Sequence, residues 1–183
     1  IKKGQSFEVG PFCFYFSSMK LTALKIEQLP IVIDLTKKIW PVAYGEILSK
    51  AQLDYMIDKF YNETALRELM QKGHVFYLAQ DDKEKYVGFL SYELNCEPNK
   101  TKIHKIYVLP ETQGTGLGRQ FFELVKEKAI ENNQKAIFLN VNKYNNAIHF
   151  YMKLGFTKVK DEVIDIGNGY VMDDYVMEVD ILQ

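Results

Sequence analysis

The sequence predicts a mixed α/β domain with a functional turn near its middle. Three observations lead there: apolar residues spaced close to 3.6 between residues 28 and 72, a switch to strand-type alternation after Gly73, and a glycine-rich link, GTGLG at 114–118, joining a strand to a helix.

Residues 21–26 form a first strand candidate, and Leu29, Val32, Ile33, Leu35, Ile39 and Trp40 mark a helix expected to end near Pro41. Ser49 followed by Gln52 matches a capping box that opens a second helix, and Asn62 caps a third, closed by Gly73. HVFYLAQ and YVGFLSYEL then read as a hairpin, and TKIHKIYVL adds a third strand to make an antiparallel meander. After the glycine link, Leu117, Phe121, Leu124, Val125 and Ala129 share one helix face. The strand AIFLNV, the short helix NNAIHFYMKL and a final hairpin, TKVKDEVIDI and YVMDDYVMEVDI around GNG, complete the sheet.

Composition bounds the function. The 183 residues are 47% hydrophobic and 26% charged, the balance of one globular domain, placed here over residues 19–183. No uncharged apolar run approaches the roughly 18 residues of a membrane span, and two cysteines, Cys13 and Cys96, make no disulfide framework; a cytoplasmic setting with no membrane contact is expected. Residues 1–18 read either as an added or upstream extension before Met19 or as an extra edge strand, because Phe12, Phe14 and Phe16 alternate. Eleven basic residues face four acids between Pro98 and Lys160, whereas residues 161–183 hold seven acids and no base. That asymmetry suggests an anionic ligand near one segment and a cationic one near the other, with solvated surface as the plainer account. The lysine-rich middle shows no basic-aromatic stripe, so nucleic acid is not an expected partner.

Glycine at a helix entrance costs roughly 0.5 to 1 kcal/mol per residue relative to alanine, so Gly114, Gly116 and Gly118 imply a close approach to the backbone. Free N–H groups at the positive end of a helix dipole suit an anion, phosphate first. The dinucleotide pattern GxGxxG and the Walker GK[ST] are both absent.

QGTGLG, residues 113–118, following YVLP, resembles the Q/R-x-x-G-x-G/A signature of the GNAT superfamily of N-acetyltransferases. NNAIHFYMKLGF, residues 145–156, is similar to that family's second half-motif, N-x-x-A-x-x-F-Y-x-K-x-G-F, in the right order and on the right elements. The resemblance implies a GNAT-like, mostly antiparallel sheet flanked by helices, with acetyl-CoA as co-substrate. It implies that the turn, Gln113, Gly114, Thr115, Gly116, Leu117, Gly118 and Arg119, holds the pyrophosphate. Val108 and Leu109 would pair their backbone with the pantetheine arm, and Asn145 or Asn146 would bind that arm from the other side. The asparagine common three residues before the alanine is here Tyr144.

The same resemblance places Tyr151 as general acid, against a core aromatic as the plainer reading. Backbone N–H of Val108 or Leu109 would stabilise the oxyanion. An amine with an ordinary pKa of about 10.4 is almost wholly charged at pH 7, so a base or water relay has leverage. Strand 100–109 carries no acid; His104, expected on the face of Ile106 and Val108, is the candidate base, with Glu93 or a water chain as rivals. No metal ligand set is expected.

For the acceptor, Asp173 and Asp174 interrupt the last strand, so one of them can face the cleft. The helices with Trp40 and Tyr44 resemble the acceptor side of bacterial polyamine (spermidine) acetyltransferases. A small cationic amine is therefore the leading acceptor, with protein amines and amino sugars open. A non-catalytic CoA-binding sensor is the competing class, and a homodimer through the C-terminal strands is a further expectation.

Overall fold

A computed structural model of the protein describes residues 19–181; the extension or edge strand expected over 1–18 lies outside them. Strand β1 (Lys20–Ala23) leads through a single 3-10 turn into three helices, α1 (Leu29–Tyr44), α2 (Lys50–Phe60) and α3 (Glu63–Gln71). The meander β2 (Val75–Gln80), β3 (Tyr86–Glu97) and β4 (Lys100–Val108) follows. Next come α4 (Leu117–Glu131), β5 (Ala136–Asn142), α5 (Ala147–Lys153) and the hairpin β6 (Thr157–Gly167) and β7 (Tyr170–Asp180).

Local chemistry accounts for most boundaries. The Ser49 side chain accepts from the Gln52 N–H at 3.2 Å and Asn62 from the Ala65 N–H at 2.8 Å, satisfying donors that a helix start leaves free. Helix α1 differs from expectation: it runs through Pro41 for one more turn. Proline removes one helical bond there, but Trp40 and Tyr44 on either side of it pack together with ring centroids 4.9 Å apart.

The seven strands form one sheet in the order β1-β2-β3-β4-β5-β7-β6, antiparallel except where β4 meets β5. Alternation along β3 sends Phe89 against Tyr61 and Tyr107 on one face, while Tyr92 on the other lies near Lys128 of α4. The sheet is thus covered on both faces. Leu29, Val32 and Ile39 of α1 and Phe121, Val125 and Ala129 of α4 are almost wholly removed from water.

Two irregularities shape the middle. Opposite β3, Ser91 pairs with Lys105 but Tyr92 with Ile103, so His104 is the extra residue of a β-bulge. And β4 pairs with β5 only from Lys100 to Ile103, opposite Ala136 to Leu139; beyond that the two strands part. Part of the charge asymmetry of the sequence is paired off in and beside the sheet. Lys143 pairs with Asp161 and Asp173, Lys158 with Asp161, Lys160 with Glu162, and Lys100 with Glu178. Four of the eleven basic residues thus meet four of the seven acids, Lys158 and Lys160 along their own strand and Lys100 and Lys143 from another part of the chain, so part of that asymmetry is structural pairing.

Candidate active site

The glycine turn separates into two functions. Gly114 and Gly116 hold φ at +79° and +88°, left-handed values that side chains resist, and Gly116 is the N-cap of α4. The first helical backbone bond runs from the Gln120 N–H to the Gly116 carbonyl, which leaves the N–H groups of Leu117, Gly118 and Arg119 without a helical acceptor. Gly118 is needed for a different reason: a Cβ there would stand 3.0 Å from Cζ of Phe150, so the glycine lets α5 lie close to α4. Thr115 turns its hydroxyl back to the Thr112 carbonyl at 2.8 Å, and the Leu117 side chain is buried beneath the turn. These two contribute backbone, not side chain.

From the turn, a groove of about 680 Å³ runs between the parted ends of β4 and β5. Its wall includes Gln113, Gly114, Gly116, Gly118 and Arg119 at one end and Ile106, Val108, Asn145, Asn146 and Tyr151 along its length. Leu109 is not part of it. That residue is 3% exposed, and its N–H donates to the Val87 carbonyl at 2.8 Å on the β3 side. In an antiparallel ladder the direction of the backbone groups alternates, so the N–H groups of Val108 and Ile106 point the other way, toward the gap that β5 has left. Val108 and Ile106 therefore line the groove and Leu109 does not.

Across the groove, Asn145 is half-buried and its side-chain oxygen accepts from the Ala147 N–H at 2.8 Å, which fixes the amide and turns its NH₂ toward the Tyr44 hydroxyl; Asn146 is exposed and makes no cap bond. The Tyr151 ring packs between Phe150 and Phe156, with centroids 5.2 and 5.7 Å away, and still reaches the groove. It is both the core aromatic and a groove residue. Burial, then Tyr44, drives its pKa up, so the phenol keeps its proton.

A second cavity, of about 270 Å³, lies on the helical side and meets the groove at Ile103, His104, Lys105, Tyr107, Asn140 and Tyr44. Trp40, Tyr61 and Tyr107 form its aromatic wall, with Trp40 centroids 5.0 Å from Tyr61 and 5.9 Å from Tyr107; the Tyr44 and Tyr107 hydroxyls are 3.1 Å apart. Leu48, Met56, Phe60 and Met172 supply apolar surface, and Asp174 is the carboxylate of the cavity. Asp173 faces away into its bridge with Lys143. Asp174 is 6% exposed, and burial, then Asp173 and Glu162, push its pKa up to about 6; among the described residues no cation stands within 4.0 Å of it.

His104 does not share a face with Ile106 and Val108. The bulge interrupts alternation and turns it, with Lys105, into the second cavity. Its Nε2 lies 3.0 Å from Oε2 of Glu93, and its ring stacks on His74 at 3.9 Å. A carboxylate only accepts, so Nε2 carries the proton and Nδ1 keeps a lone pair. Burial, then the neighbouring His74, depress the His104 pKa. Burial raises the Glu93 carboxyl, but hydrogen bonds from His104 and Cys96 overcome that and bring it below the carboxylate range.

Sequence reasoning missed His74, Tyr61, Lys105, Ile106 and Tyr107. Lys105 and Tyr107 were within reach, because alternate residues leading into the glycine turn must line one face; the bulge that adds His104 to that face leaves no mark in composition.

The groove fits a thioester-linked nucleotide arm: free N–H donors meet an anion at one end, and unpaired strand backbone meets amides along the length. Comparisons with known proteins agree. A family model described as an acetyltransferase (GNAT) domain matches residues 46–178. An uncharacterized N-acetyltransferase in the pepI 3′ region of Lactobacillus delbrueckii subsp. lactis is 28% identical over 160 residues, covering 83% of this chain and 92% of that protein. The PaiA N-acetyltransferase of Thermoplasma acidophilum, solved in complex with coenzyme A, matches with TM-score 0.73 at 22% identity, over 89% of this chain and 99% of its own. The spermidine/spermine N-acetyltransferase SpeG of Vibrio cholerae matches with TM-score 0.62 at 19% identity, over 91% and 94%. At these identities the two structures speak for the fold.

Proposed function

The chain belongs to the GNAT acetyltransferase family, and from that premise we propose that it moves the acetyl group of acetyl-CoA to a primary amine of a small cation such as a polyamine, by direct attack with both substrates bound. The observation that carries the acceptor class is Asp174, a buried carboxylate without a cationic partner among the described residues, set in a cavity otherwise walled by aromatic and aliphatic side chains. A polyamine is the complementary shape: ammonium groups separated by methylenes. One ammonium at Asp174 repays the cost of burying that charge, while Trp40 and Tyr107 offer ring faces to a second cation or to the chain between. Tyr44 stands where the cavity opens to the groove.

In the groove, the free N–H groups of Leu117, Gly118 and Arg119 hold the pyrophosphate, with Gln113 at the entrance. The backbone of Val108 and Ile106 pairs with the pantetheine amides, and Asn145 closes the arm from the α5 side. Where groove and cavity meet, a free N–H of the same strand edge points at the charge that develops on the thioester oxygen. His104, neutral at pH 7, takes the proton of the incoming ammonium at Nδ1 directly or through water. Glu93 orients the ring and stabilises the imidazolium, as the acid member of a triad does. Tyr151, held protonated by burial, gives its proton to the departing sulfur.

The test is a panel of amines with acetyl-CoA, read by free thiol and product mass. Spermidine and related diamines should be acetylated with the highest kcat/KM, and Asp174→Asn should raise their KM far more than that of an uncharged-tail amine. Acetylation of peptides or amino sugars in preference to polyamines would overturn the acceptor class. Coenzyme A binding without acetylation of any amine would favour a sensor.

A further inference from the structure

Lys105 is a charged side chain of the cavity with no role in the acetyl transfer described above. It stands next to the bulge, on the strand edge where the acceptor cavity and the donor groove meet, and it lines both. Its Nζ rests 4.9 Å from the centroid of the Tyr61 ring, and among the described residues no carboxylate lies within 4.0 Å of it. Lys102, the other lysine of the cavity, is placed differently: its Nζ lies over Phe138, 5.4 Å from the ring centroid. Ile106, whose N–H faces the groove, is the next residue in the chain. A primary amine is therefore held in the acceptor cavity, on a residue that also lines the donor groove.

We infer that Lys105 is itself an acetyl acceptor: when acetyl-CoA is bound and the cavity holds no amine, the Lys105 Nζ attacks the thioester carbonyl and becomes an amide. The C–N bond forms as the C–S bond breaks, the sulfur leaves as coenzyme A, and the surplus proton of the amine passes to that sulfur through Tyr151 or solvent. No further reactant is needed. Burial, with the charge of Lys102 second, brings the amine pKa down to about 8, so at pH 7 roughly one molecule in ten is neutral, against about one in three thousand for an ordinary lysine. Proximity then favours this amine over every surface lysine. The product amide is not an acyl donor, so the modification is terminal. It intrudes on the acceptor cavity and removes a cation beside Tyr61, shutting the enzyme when donor is plentiful and acceptor scarce.

This inference rests on the acetyl-CoA reading of the groove, and its test separates the two. The full chain is incubated with acetyl-CoA and no added amine, and intact mass and peptide mapping are followed over time while coenzyme A binding is measured by calorimetry. One acetyl group is expected, on Lys105, at a rate that saturates with acetyl-CoA and is slowed by excess coenzyme A or by spermidine. Lys105→Arg, which keeps the charge over Tyr61, should stay unmodified at that position and still bind coenzyme A. Intact coenzyme A binding with no acetyl on Lys105 would overturn the inference alone. So would acetylation that is linear in acetyl-CoA and equally fast in the heat-unfolded chain, the mark of uncatalysed chemistry. Failure of coenzyme A to bind would overturn it together with the donor reading.

Discussion

The Cα of Gly118 faces the ring of Phe150 so closely that a Cβ on it would stand 3.0 Å from the ring carbon Cζ. Through that contact α4, whose first N–H groups lack helical acceptors, sets the position of α5, which carries Tyr151 and follows closely on Asn145. Gly118→Ala should therefore weaken coenzyme A binding and lower stability by about 1 kcal/mol or slightly more. Phe150→Leu, by giving the new methyl room, should restore much of both; calorimetry on the single and double variants checks this.

Tyr151 has a raised pKa and a place on the groove wall, but it also packs on Phe150 and Phe156. Tyr151→Phe keeps the ring and deletes the proton. Turnover should fall by about 100-fold with coenzyme A affinity and thermal midpoint nearly unchanged. A fall in the midpoint without a change in kcat would assign the residue to the core alone.

His104 has a depressed pKa, so its base form is present at pH 7 and is lost only as pH falls well below the usual histidine value. The acidic limb of kcat/KM should accordingly lie below 6.5, the ordinary histidine value. Glu93 raises the His104 pKa, so Glu93→Gln should move the limb lower still. His104→Ala should remove the limb and cost roughly tenfold to a hundredfold in rate. A pH profile unchanged by His104→Ala would exclude it as the base.

The proposed acceptor role of Asp174 and its effect on stability carry opposite signs. Its folded pKa of about 6 lies above the value near 3.9 of a free aspartate, so the folded state binds the proton more tightly and the charged form costs stability. That cost is absent below about pH 4, grows as pH rises through 6 and is full at pH 7. Asp174→Asn should stabilise the protein at pH 7 by about 1–3 kcal/mol, with the gain fading toward pH 4, while raising the KM for a polyamine. Denaturant unfolding at the two pH values reads the first effect and steady-state kinetics the second.

Much of this site was legible in the sequence because its parts are local. Helix caps at Ser49 and Asn62, the hairpins, and the two half-motifs each depend on neighbours within a few residues. What escaped depends on pairing across the sheet. Leu109 and Val108 are adjacent and equally apolar, yet only the ladder with Val87 decides which N–H is spent. Likewise the faces of His104 and Lys105 are set by one extra residue opposite Ser91 and Tyr92, a count that exists only once two strands are aligned. Asp173 and Asp174 were an undecided pair until Lys143 took one of them.

The short parallel seam between β4 and β5, from Lys100 to Ile103 on one side, bears on the order of events. Trp40, Tyr61 and Tyr107 belong to the portion of the molecule before that seam, and Asn140, Met172 and Asp174 to the portion after it. The second cavity is thus lined from two leaves, joined in the sheet by four residue pairs and across the cavity by bonds from Gln52 and Tyr55 to the carbonyls of Val171 and Ile166, and a donor arm bound in the gap is expected to splint their spacing. Binding should therefore be sequential: the amine meets a finished chamber only after acetyl-CoA has locked the leaves, so product coenzyme A should inhibit competitively against acetyl-CoA and non-competitively against the amine.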